Sequence, residues 1–260
     1  MIGVFDSGIG GITVLRELAT KFPGENFIYL GDTARLPYGT KSPSTIRKYA
    51  EQNIHFLISK KVKAVVIACN SASTQFPEKE YEGIRIFNVI DPGSRKALEV
   101  SRSKRIGILG TRATVLSGAY QKKIKSLEPR AEVFAEAAPL LVPLAEEGWI
   151  DDPVTNLIVY RYLSRLLQTQ IDTLILACTH YPLLKSSIAK AAGSGIALVD
   201  SGAAIAEEMS DFIAANPSAG PRHAVAFYTT DQSSVHQKMA QSLMPDENFD
   251  FLLADLLQVQ

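Results

Sequence analysis

The sequence has few of the residues that build disulfides, metal sites or membrane spans. It contains two cysteines, four histidines and one tryptophan among 260 residues. Two cysteines are too few for a disulfide-stabilised scaffold, and no CxxC pair or histidine spacing typical of zinc ligands is present. No apolar run approaches the roughly 18 residues that a membrane-spanning helix needs. These absences exclude a disulfide scaffold, a structural zinc domain and a helical membrane protein, and we expect no metal.

An excess of charge of either sign is also missing. The 27 basic and 27 acidic residues give a formal net charge of zero. Such a balance predicts neither a nucleic-acid partner nor a membrane surface as partner. The opening residues MIGVFDSG lack the basic region, apolar segment and cleavage site of a secretory signal, so we expect a cytoplasmic protein.

The sequence does contain short apolar runs that alternate with amphipathic segments. Leu15, Leu18, Ala19 and Phe22 have the i, i+3, i+4, i+7 spacing of a helix. Strands are predicted over 2–5, 26–30, 62–68 and 85–90, and a further helix over 44–60. This β-α-β rhythm predicts a doubly wound α/β fold with a mainly parallel sheet.

The rhythm then starts again in the second half of the chain. "IGILGTRATV" at 106–115 echoes "IGVFDSGIGG" at 2–11, an offset of 104, and the two cysteines are 109 residues apart. Two matched pairs at similar offsets predict an internal duplication, hence two similar α/β domains whose strand ends face one cleft. The tail is predicted to form a helix around 203–215, a strand over 223–229 and a helix after Asp231.

The two cysteines, Cys69 and Cys178, each end a predicted strand, in "VVIACNSAS" and "LILACTHYP". Ligands of parallel sheets bind beyond such strand ends. A thiol becomes more reactive beside a helix start or an imidazole, and His180 lies two residues after Cys178 while Asp6 could serve Cys69. Two thiols on opposite faces of a carbon atom suit stereoinversion. The alternative is that both cysteines are small core hydrophobes.

The glycine-rich segment "DSGIGG" allows a different interpretation. Between a strand and a helix, its backbone N–H groups suit an anion. It forms half of a dinucleotide fingerprint, with Thr13 in place of the third glycine and Asp32 where a ribose-binding acid is expected. A nucleotide- or anion-binding protein with structural cysteines therefore stays an alternative. A thiol-redox protein with a Cys69–Cys178 disulfide is another.

Other loops carry residues suited to a small polar ligand. In "LPYGTKS", Tyr38 and Gly39 could close over a ligand through hydroxyl and backbone groups. "CNSAST" and "CTHY" supply hydroxyls and N–H groups for a carboxylate. In "PLAEEGW", Glu146 and Glu147 are by composition typical of a solvated helix end.

Seven of these motifs together resemble one known family. "GVFDSGIGG", "GDTARLPYG", "ACNSAS", "GILGT", "VPLAEEG", "ACTHYPLL" and "VDSG" occur in this order between positions 3 and 202. They resemble the bacterial glutamate racemases of the cofactor-independent aspartate/glutamate racemase superfamily, over about three quarters of the chain. The position after Asn70 departs from the family's usual threonine, but Ser71 keeps the hydroxyl.

The resemblance implies two pseudo-symmetric domains with glutamate bound in the cleft between them. The second domain, 95–204, would be inserted into the first, formed by 1–94 and 205–260. Cys178 would take the α-proton from L-glutamate and Cys69 from D-glutamate. Asp6 would assist Cys69, and His180 with Glu147 would assist Cys178. The implied substrate-binding residues are Asp6, Ser7, Tyr38, Gly39, Asn70, Ser71, Thr74, Thr111, Thr179 and His180.

The implied activity is racemisation of glutamate without a cofactor, which supplies D-glutamate for peptidoglycan and hence for cell shape. Pyridoxal phosphate is not needed by a two-thiol scheme. Aspartate is the alternative substrate, because the sequence does not give the length of the pocket. The family also leads us to expect a homodimer.

Overall fold

The computed structural model describes residues 1–218, 224–247 and 250–256. Strands and helices alternate through this part of the chain. The strands are β1 (Ile2–Asp6), β2 (Phe27–Gly31), β3 (Ala64–Ile67), β4 (Glu80–Tyr81), β5 (Ile84–Asn88), β6 (Arg105–Gly110), β7 (Glu132–Ala137), β8 (Thr173–Ala177), β9 (Ala197–Asp200), β10 (Val225–Thr229) and β11 (Phe251–Leu253). The helices are α1 (Ile12–Lys21), α2 (Pro43–Ser59), α3 (Asn70–Ser73), α4 (Ile90–Val100), α5 (Arg112–Ser117), α6 (Ala119–Leu127), α7 (Leu141–Glu146), α8 (Pro153–Leu167), α9 (Lys185–Ala192), α10 (Ser201–Glu208), α11 (Ser210–Ala215) and α12 (Ser234–Leu243).

The strands form two sheets. The first has the order β11-β10-β2-β1-β3-β5-β4, parallel except for the short β4–β5 pair. The second has the order β7-β6-β8-β9 and is parallel throughout. The chain builds most of the first sheet, then the second, and returns to the first, since β10 pairs with β2. The exact boundaries of the two expected domains stay a prediction.

The two sheets repeat one arrangement. β1 lies between β2 and β3 just as β6 lies between β7 and β8, and a cysteine follows β3 and β8. The α/β class with parallel sheets, predicted from the repeated β-α-β rhythm, is confirmed. The similarity of segments 2–11 and 106–115 therefore reflects equivalent positions in two similar sheets.

Helices cover both faces of each sheet, as buried, continuously apolar strands require. Successive side chains of a strand point to opposite faces. In β1, Val4 packs in a core with α1 and α10, whereas Phe5 packs in one with α2. In β8, Leu176 packs with residues of α8 and α9, and Ile175 with residues of α4 and α6. The loops beyond the strands' carboxyl ends are left to form the site.

Most predicted elements are present, with shifted ends. The predicted helix around 203–215 is two helices, α10 and α11, separated at Met209. The predicted strand over 223–229 is β10, and its first residue lies outside the described residues. Within the described ranges, no helix combines the length and the apolar character that crossing a membrane requires.

Candidate active site

The two cysteines lie on one cavity of about 420 Å³. Cys69 follows β3 and caps α3, and Cys178 follows β8. Both are free thiols, 5% and 6% exposed. Because β3 and β8 occupy equivalent places in the two sheets, each sheet contributes one thiol. The cavity wall joins loops from both sheets.

Burial and a neighbouring carboxylate favour the protonated form of Cys69, and two weaker hydrogen bonds at its sulfur oppose them. Its thiol donates to Ser7 Oγ at 3.5 Å, and its sulfur accepts from the backbone N–H of Ala72 at 3.5 Å. Burial and the neighbouring Asp6 carboxylate raise the pKa of Cys69 to about 12. At neutral pH this side of the cavity therefore holds a thiol.

Asp6 lies behind the cavity wall and is fully buried. Its Oδ2 accepts from Gly8 N at 3.1 Å, and its Oδ1 accepts from Thr179 Oγ1 at 3.2 Å. Burial raises the pKa of Asp6, an effect that the nearby His180 charge and these hydrogen bonds oppose. The carboxyl thus joins the end of β1 to the loop after β8, between the two sheets.

Cys178 lies beside the ring of His180. Its sulfur lies 3.9 Å from Nδ1 of His180, and Nε2 of that ring lies 3.1 Å from Oε1 of Glu146. Burial by itself lowers the pKa of His180, but the hydrogen bonds with Cys178 and Glu146 raise it to about 10. The pKa of Glu146 is lowered, because its contact with His180 outweighs burial. The ring is therefore an imidazolium at neutral pH, and it places a positive charge beside the sulfur of Cys178.

The carboxylate beside His180 belongs to Glu146 and not to the predicted Glu147. Glu146 is the last residue of α7 and lines the cavity, whereas Glu147 follows the helix end and is exposed. Successive helical residues point about 100° apart, since a turn takes roughly 3.6 residues. Of two adjacent acids at a helix end, only one can face the ring. The predicted pairing of His180 with Glu147 is therefore wrong by one residue, because Glu146 makes the contact.

Tyr38 lies on the cavity, but its hydroxyl points away from it. The hydroxyl donates to the fully buried Asp32 and accepts from Asn53 Nδ2 at 2.9 Å. Asp32 also accepts from Arg35 and from Thr230, the latter at 3.0 Å. The hydroxyl hydrogen of Tyr38 is thus taken by Asp32, and the contact of Tyr38 with a ligand stays a prediction. The ring and the backbone of this loop form the wall.

A cluster of hydroxyls bridges the loops of the two sheets. Ser71 Oγ lies 2.8 Å from Thr111 Oγ1 and 3.4 Å from Thr114 Oγ1. Thr111 also caps α5 by accepting from the Thr114 N–H at 3.3 Å. A Cβ atom on Gly39 would lie 2.7 Å from Thr111 Cβ, so glycine lets the loop after β2 approach. These contacts close the side of the cavity where Asn70 lies.

The glycine-rich loop is packed against protein where a dinucleotide phosphate would need space. A Cβ on Gly10 would lie 2.6 Å from the His180 ring, and one on Gly11 would lie 2.4 Å from Asp6 Cβ. The Thr13 hydroxyl lies 3.0 Å from the carbonyl oxygen of Thr179, within hydrogen-bond distance. The buried Asp32 is already bonded and is not available to a ribose. The geometry therefore contradicts the nucleotide interpretation.

Most of the predicted site residues meet on this cavity. Those on its wall are Ser7, Tyr38, Gly39, Cys69, Asn70, Ser71, Thr111, Cys178, Thr179 and His180. Thr74 is not on it, because α3 turns its side chain away, and its hydroxyl donates to Ser71 O at 2.8 Å.

Sequence reasoning missed part of the wall. The missed residues are Gly8, Leu36, Pro37, Thr40, Arg112, Pro139, Leu140, Val142, Pro143 and Glu146. Arg112 directly follows Thr111 in the sequence, and Glu146 directly precedes Glu147. The apolar stretch 139–143 carries no signal of its own, since such residues are equally typical of a core.

The described part of the wall contains no lysine to form a Schiff base with a carbonyl cofactor. Among residues 1–218, 224–247 and 250–256, no group of three or more histidine, cysteine or acidic side chains is arranged to hold a metal ion. The polar groups that meet at the cavity are thiols, an imidazolium, hydroxyls, an amide, the Glu146 carboxylate and the Arg112 side chain. They suit proton transfer to and from a small carboxylate-bearing molecule.

Comparison with known proteins gives one consistent result. The model of the Asp/Glu/hydantoin racemase family matches residues 2–209. The glutamate racemase of Geobacter metallireducens is 48% identical over 215 residues, which cover 82% of this chain and 78% of that protein.

Solved structures agree over nearly the whole chain. A glutamate racemase isoform from Bacillus anthracis has a TM-score of 0.92 at 33% identity, covering 98% of this chain and 97% of that chain. A glutamate racemase from Francisella tularensis in complex with D-glutamate has a TM-score of 0.91 at 34% identity, with the same coverage of 98% and 97%.

Proposed function

The chain belongs to the Asp/Glu/hydantoin racemase family and groups with its glutamate racemases, and on this premise we propose that it interconverts L- and D-glutamate through Cys69 and Cys178. The observation that carries the proposal is the placement of two buried thiols on one cavity, one from each sheet. Inversion of a carbon centre requires a base on one face and an acid on the other. One thiol per sheet supplies both.

The neighbours of the two thiols favour a direction for the first step. Cys178, beside the imidazolium of His180, is the thiolate that removes the α-proton of L-glutamate. Cys69, whose pKa is raised to about 12, is the thiol that donates its proton to the opposite face. The product is D-glutamate, with a thiol on Cys178 and a thiolate on Cys69. The reverse reaction uses the same groups in exchanged roles, and proton exchange with solvent restores the starting state.

The remaining groups support this step. Asp6 lies within the electrostatic reach of both Cys69 and His180, and Glu146 keeps His180 charged. A carbanion next to a carboxylate is stabilised best where preorganised donors replace water. Asn70 and Ser7 place such donors on the wall. The scheme calls for no cofactor and no metal.

We also propose the cellular setting that this activity implies. The product is D-glutamate for peptidoglycan, and both free thiols suit the reducing conditions of the cytoplasm. The two domains would be 1–94 with 205–260, and 95–204, with the glutamate bound between them. A homodimer is the assembly we propose from the family.

The proposal is tested with pure protein, L-glutamate and D₂O, without added cofactor. Loss of optical rotation together with deuterium at the α-carbon is the expected result. Folded protein that exchanges the α-proton of aspartate but not of glutamate would move the substrate to aspartate. Protein that exchanges neither would refute the proposal.

A further inference from the structure

Tyr120 is a fully buried tyrosine whose hydroxyl reaches from the second sheet's helices to the substrate cavity. It lies in α6, in the core with Ile106 and Ile175. Its hydroxyl lies 2.7 Å from Oδ1 of Asn70, a residue of the first sheet's loop. It is also 3.5 Å from Val89 O and 3.4 Å from Ser201 Oγ. The contact with Asn70 is the short one and takes the hydroxyl hydrogen.

The Tyr120 hydroxyl acts as a hydrogen-bond donor to Asn70. Burial raises the pKa of Tyr120, so the group is protonated at neutral pH. Ser201 Oγ gives its own hydrogen to Leu176 O at 3.2 Å. The Tyr120 hydrogen therefore goes to Asn70 Oδ1, and the amide of Asn70 is turned with its oxygen toward Tyr120.

The other end of the same amide has no partner. Asn70 is 2% exposed and lines the cavity beside Cys69. Its Nδ2 is buried and makes no hydrogen bond to any described residue. A buried N–H group without an acceptor is costly, so a position of this kind suits an acceptor brought by a ligand. A carboxylate of the bound amino acid is such an acceptor.

We propose that Tyr120 is a positioning residue of the substrate site: its hydroxyl holds the Asn70 amide with Nδ2 facing a substrate carboxylate. The inference rests on the proposed function, since it takes an amino acid as the ligand. Without the hydroxyl the amide can rotate and present its oxygen, which repels a carboxylate. Tyr120 touches no reacting atom and acts only through Asn70.

The packing around Tyr120 fits this role. A Cβ atom on Gly93 would lie 3.3 Å from Tyr120 Cε1 and 3.4 Å from its hydroxyl oxygen. The glycine thus lets α4 lie close against the ring. This close approach limits the freedom of the hydroxyl to leave Asn70.

The test compares Tyr120→Phe with Ser201→Ala, which removes a neighbour of the same hydroxyl but leaves the Asn70 contact. We expect Tyr120→Phe to raise KM for glutamate about tenfold with a smaller change in kcat, and Ser201→Ala to leave KM within about twofold. In an Asn70→Ala background, Tyr120→Phe should have no further effect on KM. An equal, additive effect in that background would overturn the inference, because it would show a general structural role.

A second measurement tests the hydrogen bond between Tyr120 and Asn70 without following catalysis. In protein labelled with ¹⁵N-asparagine, the Asn70 side-chain signals are identified by their absence from Asn70→Ala. We expect them to shift in Tyr120→Phe and to stay in place in Ser201→Ala. Unchanged Asn70 signals in Tyr120→Phe would overturn the inference. Wild-type protein that fails to exchange the α-proton of glutamate would instead refute the proposed function, and the NMR comparison still judges the contact.

Discussion

At the scale of single residues, the two thiols differ in their electrostatic surroundings. Cys69 lies beside a buried carboxyl, and Cys178 beside an imidazolium. A negative neighbour disfavours a thiolate and a positive one favours it. The asymmetry favours Cys69 as the acid of the L-to-D direction, and the reverse direction needs the two thiols in exchanged protonation states.

The role of Glu146 can be separated from that of its neighbour. We expect Glu146→Gln to lower kcat for the L-to-D direction by on the order of tenfold, because His180 loses the carboxylate that keeps it charged. Glu147→Gln is the matched control, since Glu147 is exposed, and should leave kcat within about twofold. Equal losses in both variants would contradict the assignment to Glu146.

The pH dependence follows from the same pair. The pKa of His180 is raised to about 10, in part by Glu146. Removal of that carboxylate lowers this pKa, so the imidazolium beside Cys178 is lost at a lower pH. The alkaline limb of kcat/KM for L-glutamate should therefore move to lower pH in Glu146→Gln and stay in place in Glu147→Gln. A profile that is the same in both variants would show that Glu146 does not act through His180.

What the sequence predicts at this scale is the kind of residue and its neighbourhood. Cys69, Cys178 and His180 lie where their strand ends indicate. Glu146 and Glu147 are indistinguishable in sequence, because the register of a helix end decides which one faces inward. The Tyr38 hydroxyl was also beyond prediction, since its partner Asp32 is identified only by the folded loop.

At the scale of elements, the start of α1 is fitted against the loop that follows β8. Gly10 is the point of closest approach, where a Cβ would lie 2.6 Å from the ring of His180 and 2.7 Å from Thr179 Oγ1. The glycines of this loop, which in sequence resemble a phosphate-binding turn, serve close packing between the two sheets' loops. Tyr29 fixes the loop further by donating to Gly8 O at 2.7 Å.

This packing gives a stability prediction with a built-in control. We expect Gly10→Ala to destabilise the protein by about 1–3 kcal/mol through overpacking, and to lower kcat because His180 is displaced. Gly24→Ala adds its Cβ where no heavy atom lies within 4 Å, so neither stability nor kcat should fall measurably. Chemical denaturation and kcat are measured for both. Wild-type stability and kcat in Gly10→Ala would contradict this packing role.

The order of elements was predictable where apolar strands alternate with helices, and less so elsewhere. β1, β2, β3 and β5 match their predicted ranges within about two residues. The division of the 203–215 helix at Met209 was missed, because its apolar spacing continues through the break. β7, with a half-buried pattern, has a weak signal, and only its pairing with β6 makes it a strand.

At the scale of the whole molecule, the cavity exists only where the two sheets' loops meet. Each sheet brings one thiol, and Asn70, Ser71 and Asp6 bond across to the other half through Tyr120, Thr111 and Thr179. The return of the chain to the first sheet through β10 also contributes to the cavity. Thr230, which follows β10, accepts from Ala34 N at 2.9 Å in the loop that leads to Tyr38. A site of this kind is not a property of either half alone.

Ligand binding should therefore stabilise the whole chain. A ligand at about 100 times its Kd adds about 2.7 kcal/mol to the free energy of unfolding of its target. We expect D- or L-glutamate to raise the midpoint of thermal unfolding clearly, and aspartate at the same concentration to raise it less. Aspartate is one methylene shorter, so its two carboxylates lie closer together than those of glutamate and fit the same cavity less well. A larger shift with aspartate would reverse the substrate assignment.

The most direct test of the two-thiol scheme follows each enantiomer of glutamate in D₂O with Cys69→Ala and Cys178→Ala. With Cys178 alone, the α-proton of L-glutamate should exchange without inversion, and D-glutamate should stay unlabelled. With Cys69 alone, only D-glutamate should exchange, and neither variant should racemise at a measurable rate. Racemisation at the wild-type rate by either variant, or the opposite preference for enantiomers, would contradict the assignment of one thiol to each face.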